Sequence, residues 1–490
     1  METILFSALV VLLVLLLFTA AMLIFRAMMY GRVPGPVEAV ESVPVEGAVV
    51  AEHLASALRA PTISAGDRSQ IDYSAFAELH KALEHMYPRI HGTLSCEVVG
   101  DYSLLYTWPG QKGDLPPILL CGHQDVVPAD PSTLNEWTYP PFSGTIQDGY
   151  VWGRGALDMK STVITIMEAI EGLIKAGYQP QRTVFLALGH DEEIGGLQGA
   201  RAIANLLVER GEHLEVVLDE GGAIMIGALP GIALPVALVG VAEKGYASLE
   251  LKVEGRPGHS SMPPPHTAIG VLSRGLTRLE AHPMPARLAM ARLMFDQVGA
   301  FLPFTVRLAL ANTWLFGGAL RRRLESVPTT NSMIRTTAAA TIIAGGVKDN
   351  ILPAQAHAVV NCRLLPGDTR ADVLEHYRKA VADEAVQISM PADSSWEPSP
   401  VSPPDSPIFN GLSQAIRQVF PETLVAPYLV SGATDSRHYL PLTSNIFRFS
   451  PYTMDNELLR TVHGIDERIA INSLERMVQF YAQLIKSWTE

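Results

Sequence analysis

Cysteine is scarce in this chain. There are three, Cys96, Cys121 and Cys362, too few and too scattered for a disulfide framework or a thiolate metal site. Each lies among apolar or strand-like neighbours, which predicts buried, inert thiols. Positive charge is also in short supply: 37 Lys and Arg face 50 Asp and Glu, for a formal net charge of -13. That balance argues against nucleic acid as a partner and leaves small molecules or peptides. No Lys or Arg precedes the first apolar run, residues 4–25. A cleaved signal peptide usually has a basic start and a shorter apolar core, so the run reads as a single-pass transmembrane anchor, long enough to cross about 30 Å of hydrocarbon as a helix. Arg26 and Arg32 follow it, and the positive-inside rule then holds the main body on the cytoplasmic side.

What the chain has in quantity is apolar residue, 48% of 490, enough for a large core and two domains or more. Residues 26–44, with Val33-Pro34-Gly35-Pro36-Val37 and the acids after it, read as a tether. The spacing then predicts amphipathic helices over 47–58 and 72–86. Neither carries a chemical signal, and His80, His85 and His91 fall on a polar face or in a loop.

The chemistry concentrates further on. Residues 183–188 form an apolar run that reads as a buried strand, and it stops at His190-Asp191-Glu192-Glu193-Ile194-Gly195-Gly196 before a helix expected from about 197. In open α/β sheets that edge is where ligands bind. Adjacent carboxylates repel, so setting them at the mouth of a buried strand calls for a cation or a proton. A metal site with one Glu as ligand and the next as proton carrier meets that need; a solvated acidic turn is the plain alternative. A second apolar strand, 117–122, runs into His123-Gln124-Asp125. A His at a strand end can offer neutral imidazole to zinc, while an Asp two residues later fixes its tautomer. Residues 148–160 are a glycine-punctuated loop opening a helix over 161–175, which turns Asp158 toward the site or makes it an N-cap.

Gly-His-Gln-Asp, Gly-Arg-Gly-Ala-Leu-Asp-Met-Lys and Gly-His-Asp-Glu-Glu-Ile-Gly-Gly, in that order and with about 35 residues between successive site residues, resemble the di-zinc family of aminoacylase, carboxypeptidase S and the succinyl-diaminopimelate desuccinylases. Leu218-Asp219-Glu220-Gly221-Gly222 stands where the family supplies a further carboxylate, and Val462-His463-Gly464 where it supplies its last His. The resemblance implies two Zn2+ per subunit, with His123 and Glu220 on one, Glu193 and His463 on the other, and Asp158 bridging. It also implies Glu192 as the proton carrier and Asp125 as the brace of His123.

Residues 244–255 and 356–367 alternate as half-exposed strands, the second ahead of a helix over 369–382, which suggests an α+β insert in an α/β body. The resemblance makes 244–396 a lid or dimerisation domain between two parts of a catalytic domain, 45–243 and 397–490, the body being a zinc-peptidase-like α/β fold with a central mixed sheet. It casts His259, in Pro-Gly-His-Ser-Ser, as the residue that polarises the substrate carbonyl, commonly in a partner subunit's site, so a homodimer is implied. Asn350, Arg363, Asp435 and Arg437 match positions that hold substrate. Inside the insert, 286–323 is unusually apolar and ends in Arg321-Arg322-Arg323. Plain packing, a wall for lipophilic acyl groups and contact with a membrane are its three readings, and the extension resembles the carboxypeptidase S and N-fatty-acyl amino acid branch.

The expected activity is hydrolysis of the amide bond of an N-acyl amino acid, or of the C-terminal bond of a short peptide, reversible toward N-acyl amino acid synthesis. The alternative is a membrane-tethered, catalytically silent binding protein. The intact ligand set and Glu192 argue against it. Relatives act in secretory or vacuolar space, which opposes the charge rule on the side of the membrane.

Overall fold

The protein is described by a computed structural model covering residues 1–38, 40, 43–227, 229, 231–391 and 395–490. Positions 39, 41 and 42 of the tether and 392–394 near the end of the insert lie outside the described residues. The chain divides into two compact units: Met1–Gly31, Ala242–Val401 and Leu429–Ala433 in one, Arg32–Val241, Ser402–Tyr428 and Thr434–Glu490 in the other.

The larger unit is built on a mixed sheet. Four strands run parallel side by side, in the order Val184–Gly189, Ile118–His123, Val216–Asp219, Ile446–Arg448. Antiparallel strands extend it, Ser103–Trp108 and then Ser95–Val99 on one side and Val236–Glu243 on the other. Every residue of Ile118–His123 and Val184–Gly189 is buried, as continuous apolar runs require when both faces of a sheet are covered. Leu119, Cys121, Phe185 and Ala187 pack on Ala200, Ile203, Ala204 and Leu207 of the helix Ala200–Glu209. The helix Lys160–Lys175 lies against Ile118–His123 and against the closing helix Ile471–Thr489. His123 pairs with Gly189, and Leu120 with Leu218. Parallel strands in this register bring His123, the acidic turn and Glu220 to one sheet edge.

The other unit holds a four-stranded antiparallel sheet in the order Thr337–Gly345, Gln355–Leu364, Gly245–Glu254, Gln387–Ser389. Ala247, Leu249, Leu251 and Val253 alternate inward and pack with residues of the helices Ala268–Ala281 and Arg370–Val381. Thr369 and Asp372 form a capping box that fixes where the second of these helices begins. The apolar N-terminal helix, Glu2–Met28, belongs to this unit and runs three residues past the expected span.

Two expectations need correction, and one open alternative is decided. Cys96 is exposed, not buried, because it lies on the edge strand Ser95–Val99, most of whose residues face solvent. Asp158 does not cap a helix: the helix starts at Lys160 with Met159 at the N-cap, which leaves the Asp158 carboxylate free for the site. The helix after the acids begins at Ala200 rather than near 197, since residues 197–199 form a turn in which the Gln198 and Gly199 backbone N–H groups are held by Asp191.

Candidate metal centre

Asp158 stands between two groups of ligand-type atoms. Its Oδ1 is 3.0 Å from His123 Nε2, which is itself 3.2 Å from Glu220 Oε1. Its Oδ2 is 2.9 Å from His463 Nε2, which is 3.3 Å from Glu193 Oε1. His123, Asp158 and Glu220 form one candidate metal-holding group and Asp158, Glu193 and His463 another, each with its ligand atoms within 4.8 Å of one another. Glu192 joins His123 and Glu193 in a third.

Several local devices deliver these side chains. His123 and Glu220 come off the ends of adjacent parallel strands. The turn holding Glu192 and Glu193 is pinned by Asp125, a fully buried carboxylate whose two oxygens accept the Glu192 and Glu193 backbone N–H groups, both at 3.1 Å. His123 Nδ1 donates to the Asp125 carbonyl at 2.9 Å and lies 3.4 Å from its carboxylate, which aims Nε2 at Asp158 and Glu220. His463 sits in the left-handed region at φ 57, a strained conformation that surrounding contacts must hold.

The three consecutive acids do separate jobs. Asp191 is fully buried and accepts from the Gln198 and Gly199 backbone N–H groups at 2.9 and 2.8 Å and from Arg68 at 2.8 Å. It secures the loop, its two oxygens taken up by these donors. Asp435 packs on the same turn: a Cβ at Gly196, where φ is +67, would meet its Oδ1 at 1.9 Å, so only glycine fits there. Arg437 and His438 meet the Gly195 carbonyl at 2.8 and 3.0 Å.

The electrostatics are those of a carboxylate-rich pocket. Burial pushes the Glu192 and Glu220 carboxyls well up, and neighbouring acids add to it. Burial also pushes Asp158 up, yet the hydrogen bonds from His123 and His463 outweigh it and hold that carboxyl low. Close contact with the Asp158 and then the Glu193 carboxylate raises His463 to about 10. His123 ends well above the usual imidazole range, its burial overcome by Glu220, Asp125 and Asp158. Such a set calls for added positive charge. Glu193 Oε1 is buried, with His463 Nε2 3.3 Å away, a carboxylate oxygen placed to bind a cation. Two imidazoles and three carboxylates are nitrogen and oxygen donors appropriate to zinc or a related divalent ion.

The smaller unit carries the other expected residues. His259 pairs with Ile351 in a two-stranded ribbon, and the Ser260 N–H meets the Asn350 carbonyl at 3.2 Å, so His259 and Asn350 are neighbours. The His259 ring is exposed, and its Nδ1 lies 2.8 Å from Ser261 Oγ. Arg363 lies over the Tyr246 ring at 4.8 Å, and Tyr246 stacks on Trp396.

One contributor had no signal in the sequence. Glu467, fully buried, accepts from the backbone N–H groups of Gly155, Leu157 and Asp158 at 3.0, 2.8 and 3.1 Å. Its position four residues after His463 is the one hint available.

An α/β fold in which one Asp joins two His/Glu groups, with a further Glu alongside, has the donor arrangement of a metal-dependent hydrolase. Residues 119–487 match Peptidase family M20/M25/M40, and the chain belongs to this family. It is 42% identical over 443 residues to a probable carboxypeptidase S-like 2 of Dictyostelium discoideum, covering 89% of this chain and 85% of that one. Identity is also 42%, over 441 residues, to the N-fatty-acyl-amino acid synthase/hydrolase PM20D1 of Xenopus tropicalis (89% and 85%). Carboxypeptidase S of Saccharomyces cerevisiae is 34% identical over 488 residues (90% and 84%). Among solved structures, the metallo-carboxypeptidase Sso-CP2 of Sulfolobus solfataricus shares the fold with a TM-score of 0.62 at 18% identity, covering 90% of this chain and 99% of that one.

Proposed function

We propose that this chain is a di-zinc amidohydrolase that splits N-acyl amino acids into a carboxylic acid and a free amino acid, or removes the C-terminal residue of short peptides. The observation that carries this reading is the pair of Asp158 oxygens, one turned to His123 and the other to His463. The names of the relatives, carboxypeptidase S and N-fatty-acyl-amino acid synthase/hydrolase, set the substrate class.

Zinc ions held by His123, Glu220, Asp158, Glu193 and His463 would lower the pKa of water and polarise the amide carbonyl. Glu192, beside the ligands, takes the proton from the attacking water and returns it to the leaving amine; burial makes it a ready acceptor and donor of that proton. Asp125 orients His123 and holds the backbone of both Glu192 and Glu193. His259 would stabilise the oxyanion. Arg363 and Asn350 would hold the substrate's carboxylate and carbonyl, an Arg fork being matched to a carboxylate. Hydrolysis and condensation share a transition state, so the same groups serve N-acyl amino acid synthesis when both products are abundant.

The insert, residues 244–396, would pair two copies, each offering His259 to its neighbour's site. The N-terminal helix, apolar over Thr3–Met28 with a mean hydropathy of 3.1 in its most apolar window, would be retained as a membrane anchor.

The test uses purified full-length chain, its metal content and mass-spectrometric detection of products from N-acyl amino acids and dipeptides. Wild type should release amino acid and lose that activity to a chelator. Glu192→Gln should keep its zinc and lose about 100- to 10,000-fold in turnover. Zinc retained with no turnover by wild type on such a panel would favour the binding-protein reading.

A further inference from the structure

The N-terminal helix is docked, not loosely tethered. Its less exposed residues are Thr19, Met22, Leu23, Ala27 and Tyr30, spaced as one stripe of a helix, and it packs on the helix Phe304–Ala311. Asn312, fully buried, donates from Nδ2 to the Leu23 carbonyl at 3.1 Å and to the Leu308 carbonyl at 2.9 Å. The Tyr30 hydroxyl donates to Asp296 at 2.5 Å. Gly31, at φ +92, comes so close to the chain that a Cβ would meet Ala300 N at 2.0 Å. Toward the N-terminus the contacts cease, and every residue from 3 to 18 is exposed.

Length then decides how deep a bilayer must reach. Residues 3–18 span about 24 Å at about 1.5 Å per residue, short of a hydrocarbon layer of about 30 Å. Roughly four more residues are needed, which brings the boundary to Met22 and Leu23. That is the level at which Asn312 bonds the helix.

The corner at Asn312 opens the helix Thr313–Glu325. Its first turn exposes Trp314 (61%) and Leu315 (49%), and the preceding helix begins with exposed Phe304 (42%). Gly318 and Ala319 continue the exposed side, and exposed Arg321, Arg322 and Arg323 end it. Large apolar side chains this exposed contribute little to the core. An apolar first turn with a Trp and a basic last turn match the depth profile of a bilayer surface, aromatic ring at the interface and arginines among phosphates.

We propose that the helices Phe304–Ala311 and Thr313–Glu325 lie in the interfacial layer of the bilayer that the N-terminal helix enters. Trp314, Leu315 and Phe304 sit at the edge of the hydrocarbon, and Arg322 and Arg323 meet anionic headgroups. This rests on the reading of the N-terminal helix as a retained anchor. The protein would therefore be held against the membrane by its insert and would not swing on a leash.

The experiment uses full-length chain in phosphatidylcholine liposomes with or without phosphatidylserine. An environment-sensitive fluorophore is attached to Trp314→Cys or, separately, to Leu12→Cys, both in a Cys96→Ser background. Quenching is read with nitroxides carried at shallow or deep positions on the lipid. The expected result is strong deep quenching at position 12 and about twofold or greater shallow quenching at 314. Arg322→Glu with Arg323→Glu should remove any gain that phosphatidylserine gives at 314. Quenching at 12 with none at 314 overturns the inference and leaves the anchor intact. No quenching at either position overturns the anchor reading, and the inference with it. Shielding of 314 that rises with protein concentration in lipid-free detergent assigns the face to a second copy and also overturns it.

Discussion

Arg154 and Glu467 form a buried ion pair 2.7 Å long, with side chains 3% and 0% exposed. Three backbone N–H groups of the Asp158 loop share the Glu467 carboxylate, and Arg154 also donates to the Gly464 carbonyl at 2.9 Å. The pair thus binds the loop that delivers Asp158 to the loop that delivers His463, a positioning role with no contact to substrate required.

Glu467→Ala leaves Arg154 and three N–H groups without their acceptor. Loss of one partner of a buried pair typically costs about 3–5 kcal/mol, read as earlier unfolding of the zinc-loaded protein in urea. Zinc content should drop as well. Glu467→Gln, which keeps an acceptor oxygen, should recover part of both.

Asp125→Asn should lower kcat by about 10- to 100-fold, the usual effect of disturbing a partner of a metal-held His, while KM changes little. The reason is that Asp125 touches His123 and the backbone of Glu192 and Glu193. Steady-state kinetics on an N-acyl amino acid decide it. An effect confined to KM would contradict the assignment.

Ligand variants should differ in stoichiometry. His123→Ala and His463→Ala each disturb one group and should lower zinc from two per chain toward one. Asp158→Ala removes the residue that both groups share and should lower it below one. Elemental analysis after gel filtration measures this directly.

His438 gives a pH dependence of stability. Burial, with Arg437 nearby, lowers its pKa from 6.5 to about 4. Between those values the unfolded chain binds a proton that the native chain does not, so stability falls as pH drops from 6.5 toward 4, and the loss is complete below it. His438→Gln should remove this part of the acid sensitivity in unfolding midpoints measured across that range.

Much of the larger unit is legible in the sequence. The runs around Leu120 and Leu186 are apolar without interruption, as buried parallel strands demand. Helices with a cap residue at the start of the expected range lie within a residue or two of it: Asp72 caps Tyr73–Met86 and Thr369 caps Arg370–Val381. After Gly196 the sequence offers no such residue to mark the boundary, and the helix begins three positions later than expected. Cys96 was misjudged because a strand pattern does not say whether its strand lies at a sheet edge. Glu467 was missed because a lone Glu in a loop carries no periodicity and no spacing, only partners that are distant in sequence. The same holds for Asn312, whose bond to Leu23 crosses nearly 300 positions.

The sequence by itself determined which side chains are available, in which order, and which elements carry them, because strand, helix and cap preferences are set by neighbours a few residues away. Only the tertiary structure decided that Asp158 stands between His123 and His463, that Glu467 joins the loops bearing them, and that the apolar leader is seated on the insert. Those facts depend on strand register and on buried polar groups finding acceptors across the chain, and no local pattern encodes either.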